Sequence, residues 1–350
     1  MVVAGLWDQE DIYGALAVYK ALKVNPANKS NLFYVLGPWY HGQQIEEASN
    51  LGAIKWGSDT GLYFRKQILA PFLAHYLKDC APPMHIAPVN VFESGTNRWQ
   101  QLSTYPSGCD GGCPPKATPL YLQAGGKLGF QAPTASTSAG SAAAAFDEYV
   151  SDPSKPVPYR TRPTRPPGYT PDLSWVRWLV DDQREFSGRT DVLTYSTEVL
   201  DAPLKISGEP IANLVAATTG SDVDWVVKLI DVYPDEVAGD PAMGGYQLAV
   251  AMDILRGRYR ESFAVAKAVT PNVPLSYRFA LPETNHVFLP GHRMMVQIQS
   301  AWFPLYDRNP QTFVPNIFFA KASDFHVATQ RIYHSSGKAS FVELPVVAIQ

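Results

Sequence analysis

The chain has 350 residues, enough for two domains and a sizeable core, and with 46% hydrophobic residues it is not a disordered chain. Its 29 basic and 32 acidic residues leave a formal charge of −3, and no basic patch is interleaved with aromatics, so composition offers no case for nucleic acid. No apolar run approaches the ~18 residues of a membrane span, so none is expected.

The N-terminus lacks a basic region followed by an apolar stretch and a cleavage site, and does not read as a signal peptide. Residues 1–7 form an apolar run that reads as a buried strand and is closed by Asp8. Within residues 11–22, Ile12, Ala15, Leu16 and Tyr19 fall on one helical face. Residues 31–36 read as a second strand, followed by Gly37-Pro38-Trp39-Tyr40-His41. A strand–helix–strand unit of this length is a parallel crossover. It would place Asp8 and His41 at the carboxyl ends of neighbouring strands, where open α/β sheets carry their chemistry. Phe64, Ile68, Leu69, Phe72, Leu73, Tyr76 and Leu77 make a second apolar helical face, with a kink expected at Pro71. Asp79-Cys80-Ala81-Pro82-Pro83 breaks the pattern, and the domain boundary is placed there, giving units 1–83 and 84–350.

Beyond residue 84 the pattern changes to short β runs separated by turns. Met294, Val296, Ile298, Ser300 and Trp302 alternate with Met295, Gln297, Gln299 and Ala301, as in a half-buried strand. Residues 224–233 read as a more deeply buried one. Further strands are expected near 86–92, 118–123, 192–198, 204–218, 274–281, 316–320, 328–334 and 340–347. This pattern, with no helical alternation, suggests a β-sandwich, and a jelly roll fits it. Residues 133–145, rich in Ala, Ser and Thr, and residues 151–172, rich in Pro, read as surface loops.

Cys109 and Cys113 sit in a Gly-rich loop, and a disulfide between them is expected ahead of a metal site, which needs two further ligands close by; free thiols remain open. A disulfide would favour an oxidising compartment. Cys80 has no obvious partner. His75, His85, His286, His292, His326 and His334 are scattered without metal-ligand spacing and read as structural.

Asp8 could accept the Nδ1–H of a catalytic imidazole, fixing its tautomer, or it could cap a helix. His41 suits a general base because imidazole titrates near neutral pH. Glu10 and Asp11 would either stabilise a helix N-terminus or form an anionic pocket for a substrate ammonium group. An α/β-hydrolase orders its triad Ser, Asp, His, with the Ser on G-x-S-x-G. The sequence contains no G-x-S-x-G. The expected nucleophile therefore lies upstream of Met1, and the chain as given is expected to be inactive alone.

Gly5-Leu6-Trp7-Asp8-Gln9-Glu10-Asp11 followed by Gly37-Pro38-Trp39-Tyr40-His41 resembles the α-amino-acid ester hydrolases, within the larger group of X-Pro dipeptidyl-peptidases and cocaine esterase. Asp222 through Pro234, Gly291-His292-Arg293 and Phe303 through Pro310 resemble stretches of that group's C-terminal jelly roll, and the Cys109–Cys113 loop and Pro119-Leu120-Tyr121-Leu122 also fit. The resemblance covers essentially the whole chain. It implies the C-terminal piece of an α/β-hydrolase domain followed by a jelly-roll β-sandwich. The activity implied is cleavage or transfer of the acyl group of α-amino acid esters and amides, including β-lactam side chains, without a cofactor or metal. Carried over, Asp8 is the triad acid, His41 the triad base, and Glu10 and Asp11 bind the substrate α-ammonium. The group is typically periplasmic and oligomeric. The nucleophile, oxyanion-hole residues, third carboxylate and helical cap have no counterpart in this sequence. The partners implied are the small-molecule α-amino acyl substrate, the N-terminal half of the hydrolase and further copies of the chain. A non-catalytic jelly-roll module that binds carbohydrate or protein is the alternative.

Overall fold

The structure is a computed structural model and describes residues 1–350 except 29, 110–111, 135–145, 169–172 and 350. Of the two expected loop segments, residues 135–145, nearly all of the first, and residues 169–172 of the second lie outside the described residues.

The chain opens with a four-stranded sheet ordered Val2–Gly5, Tyr34–Gly37, Val89–Glu93, Arg98–Leu102. The first three strands are parallel and the fourth is antiparallel to the third. Tyr34–Gly37 is buried along its whole length, as a central strand covered on both faces should be. Helix Gly14–Lys23 makes the crossover and buries Leu16 and Tyr19. Its start is later than the pattern suggested, because Asp11 accepts a hydrogen bond from the Gly14 N–H and ends the preceding turn. The boundary expected at 83/84 falls between the second and third strands of this sheet, which continues to Leu102. The proline break at 82–83 is a connection within the sheet.

The second apolar helix starts at Thr60, four residues before its first expected apolar contact, because the Asp59 side chain caps it through the Leu62 N–H. Its winding widens over Phe64–Leu69 before the last segment, Ala70–Leu77. Pro71 has no N–H to give to the preceding turn, which is the physical reason for the irregularity expected there.

The rest of the chain is mostly β. One large, predominantly antiparallel sheet runs from Gln247–Arg256 through Asp224–Val232, Arg293–Gln299 and Leu193–Ser196 to Phe341–Val347, Ile211–Thr218 and Ala328–Ser335. It encloses one apolar core that includes Leu120, Leu214, Trp225, Leu229, Phe288, Val296, Ile298, Ile332 and Val342. A second core joins it to the first sheet: Trp7, Trp56 and Phe92 pack with Trp178, Met243, Leu248, Met252 and Trp302.

Three expectations are corrected. Residues 316–320 hold a helical turn, Ile317–Phe319, because the Asn316 side chain accepts the Phe318 N–H; Phe318 and Phe319 stand 81% exposed. Residues 204–218 form two strands, Leu204–Gly208 and Ile211–Thr218, since Pro210 between them cannot donate to a ladder. Arg293–Gln299 is buried on both faces. Gln297 points into a buried polar layer, where its Nε2 reaches the Gln183 carbonyl and Gln247 Oε1, both at 3.3 Å.

Candidate active site

Asp8 follows the first strand and His41 follows the second, and the register pairs Gly5 with Gly37. Both glycines are required by close packing at this end of the sheet. A Cβ at Gly5 would collide with the Trp39 carbonyl, and one at Gly37 with the Trp39 indole. Trp39 is buried and donates its Nε1–H to Thr60 Oγ1 at 2.9 Å, and its carbonyl accepts the Trp7 N–H at 3.3 Å. Trp7 stacks on Trp56 and donates its Nε1–H to the Ala249 carbonyl at 3.0 Å. The two loops are thus clamped to each other and to the large sheet.

On this frame His41 Nδ1 lies 3.1 Å from Asp8 Oδ2 and 3.2 Å from Asp8 Oδ1. Asp8 Oδ1 also accepts the backbone N–H groups of Glu10 at 2.9 Å and Asp11 at 2.8 Å. Asp8 makes the turn contacts and the imidazole contact at once. It caps a tight turn rather than the helix, which begins only at Gly14, and the turn aims its carboxylate at the imidazole. An ionised carboxylate only accepts, so His41 Nδ1 carries the proton toward it and Nε2 is left as the acceptor in the neutral ring. The Asp8 side chain is 12% exposed and that of His41 46%, so the carboxylate is sheltered while the ring is reachable. Gln9 Oε1 accepts the His41 N–H at 3.2 Å and ties the loops together a second time.

Glu10 Oε2 stands 4.0 Å from His41 Nε2, beside the nitrogen that would face a reacting group. Asp11 Oδ1 instead accepts the Gly14 N–H at 2.8 Å, so part of its carboxylate is engaged in starting the helix. Asp8, Glu10 and His41 converge, and Asp11 sits on the rim. The sequence reading missed Gln9 and the Gly5–Trp39–Gly37 packing; the close backbone approach of two strand-end glycines was the available signal.

Elsewhere, Cys109 and Cys113 are joined by a disulfide, and Cys80 is exposed and free. Among the described residues no group of His, Cys, Asp and Glu side chains is arranged to hold a metal ion. No helix among them is long and apolar enough to cross a membrane.

Comparison with known proteins follows the same lines. Residues 86–343 match the X-Pro dipeptidyl-peptidase C-terminal non-catalytic domain. The cocaine esterase of Rhodococcus sp. (strain MB1 Bresler) is 29% identical over 354 residues, covering 99% of this chain and 56% of that protein. Among solved structures, an α-amino acid ester hydrolase is 53% identical with a TM-score of 0.91, over 98% of this chain and 54% of that one. An aminopeptidase from the marine sediment archaeon Thaumarchaeota archaeon is 50% identical with a TM-score of 0.92, over 99% and 54%. The chain spans about half the length of the relatives it matches. It belongs to the family of the X-Pro dipeptidyl-peptidase C-terminal domain, within the group that holds cocaine esterase and the α-amino acid ester hydrolases.

Proposed function

We propose that this chain carries the acid and base of a Ser–His–Asp triad in a serine hydrolase of α-amino acid esters and amides, and that the serine comes from polypeptide outside these 350 residues. The observation that carries the reading is the Asp8–His41 pair, held at 3.1 Å on the carboxyl ends of two neighbouring parallel strands. In this reading the first sheet is the C-terminal piece of an α/β-hydrolase domain and the large β unit is a jelly roll. His41 Nε2 takes the proton of the attacking hydroxyl and returns it to the leaving group. Asp8 holds the tautomer and stabilises the imidazolium formed on the way. Glu10, beside Nε2, binds the α-ammonium of the substrate with help from Asp11, so that the acyl carbon is presented to the nucleophile. The absence of G-x-S-x-G from the sequence supports a nucleophile supplied from elsewhere. The Cys109–Cys113 disulfide supports an oxidising compartment such as the periplasm. An assembly of several copies belongs to the same reading.

The test begins with the DNA upstream of the Met1 codon. An in-frame G-x-S-x-G serine within a strand-rich segment is the expected result. The polypeptide extended through it should hydrolyse p-nitrophenyl esters of α-amino acids and lose that activity in His41→Ala. An in-frame stop followed by unrelated sequence would remove the intact-enzyme reading.

A further inference from the structure

Asp231, in strand Asp224–Val232, is buried and holds an imidazole on each oxygen: His292 Nδ1 at 2.8 Å from Oδ1 and His286 Nε2 at 3.1 Å from Oδ2. Ser94 Oγ, just past strand Val89–Glu93, lies 2.8 Å from His286 Nδ1 and completes a line of four side chains. Burial disfavours ionisation of Asp231, but the hydrogen bonds it accepts from the two histidines outweigh it and hold the carboxyl below its ordinary range. An ionised Asp231 only accepts, so each histidine donates to it. His286 then accepts the Ser94 hydroxyl proton at Nδ1, and the inner three groups are satisfied with one net negative charge. His292 at the outer end keeps Nε2 as a lone-pair acceptor.

The His292 ring lines a cleft of about 420 Å³ where the Ile54–Lys55 strand, the Gly95–Asn97 turn and the loop after Tyr233 meet. This is the size and kind of location in which small organic ligands bind. Its apolar wall is Ile54, Val237, Met243 and Leu289. Its one lysine, Lys55, is paired to Asp240 at 2.7 Å, and Glu236 is exposed at the rim. The cleft therefore offers an acceptor nitrogen backed by a buried negative charge, a surplus carboxylate and apolar walls. We propose that this cleft is a second binding site, separate from Asp8 and His41, for a small organic ammonium ion with an apolar body, whose N–H is read by His292 Nε2.

The proposal does not depend on the triad, so it is tested on the 350-residue chain itself. Side-chain nitrogens of ¹⁵N-labelled histidine are followed by NMR while benzylammonium, benzyl alcohol or benzoate is added at constant pH. Benzylammonium should shift His292 saturably, with a Kd of about 1 mM or tighter. Benzyl alcohol should bind more weakly and benzoate not at all. His292→Gln keeps a donor for Asp231 and should weaken benzylammonium roughly 10- to 150-fold. Glu236→Gln, at an exposed position that cannot unfold the chain, should weaken it about 1.5- to 5-fold. Equal shifts by benzoate, no saturable shift at His292, or a response confined to His41 would overturn the proposal. The last would assign the amine to the Glu10 site instead.

Discussion

Asp8 serves two partners at once, and that decides what its replacement should do. In Asp8→Asn the backbone N–H groups of Glu10 and Asp11 keep an acceptor, so the turn survives. The amide then favours the wrong His41 tautomer. In the active, extended polypeptide kcat should fall by about 10⁴-fold, the size of the loss in serine-protease triads, with little change in thermal stability. A loss below tenfold would leave Asp8 as a turn residue only. Glu10 and Asp11 separate by substrate. Glu10→Gln should lower kcat/KM for an α-amino ester by roughly 10- to 150-fold, a charge-assisted contact of ~1.5–3 kcal/mol, and spare the matched ester without the amino group. Asp11→Asn keeps an oxygen for the Gly14 N–H, so it should show a smaller form of the same preference without loss of stability. Asp11→Ala should in addition cost about 0.5–2 kcal/mol by uncapping the turn. Equal losses on the paired esters would remove ammonium binding. The Asp8–His41 pair was legible in the sequence because each residue follows a strand of one local crossover. The line Ser94–His286–Asp231–His292 was not, because its members stand on elements whose adjacency is set by long-range pairing.

At the scale of elements, the large sheet buries charged and polar side chains along with its apolar ones. Strand Asp224–Val232 carries Lys228, which is buried and donates to Gln183 Oε1 at 2.8 Å. Burial pushes its ammonium down from the ordinary 10.5 to about 7. Between those values the unfolded chain holds the proton and the folded chain does not, so stability rises as pH climbs from about 7 to 10.5. Lys228→Met should therefore flatten the rise of the thermal midpoint over that window. Near pH 7 it removes a penalty on the order of a few kcal/mol, partly offset by the ~1–3 kcal/mol of leaving Gln183 Oε1 without its donor. Thermal scans at closely spaced pH values check this, and an unchanged slope would mean that Lys228 stays charged when folded. Strand positions in the β unit were largely legible from alternation and turn residues. Gln247–Arg256, Thr284–Phe288, Arg98–Leu102 and Phe146–Ser151 were not singled out, the last two being too polar to show apolar alternation. The Ile317–Phe319 turn was missed because its apolar run resembles a strand, while the deciding signal is the single Asn316 cap.

At the scale of the molecule, the first sheet does not stand apart. Its core is shared with the β unit through Trp7, Met243, Ala249 and Trp302, and a boundary read from composition could not register that contact. Hydrogen exchange should reflect it. Tyr34–Gly37, paired on both sides, should exchange slowly, and Val2–Gly5, paired on one side only, quickly. Uniform protection of both strands in a monomer would mean that something covers the outer edge. The central claim is that Asp8 and His41 are two-thirds of a triad, and fluorophosphonate labelling followed by peptide mass mapping tests it most directly. The 350-residue chain alone should not be labelled. The polypeptide extended through the upstream reading frame should be labelled on a G-x-S-x-G serine, and His41→Ala should abolish that labelling. A label on a serine within residues 1–350, or labelling of the extended polypeptide that is indifferent to His41, would contradict the account.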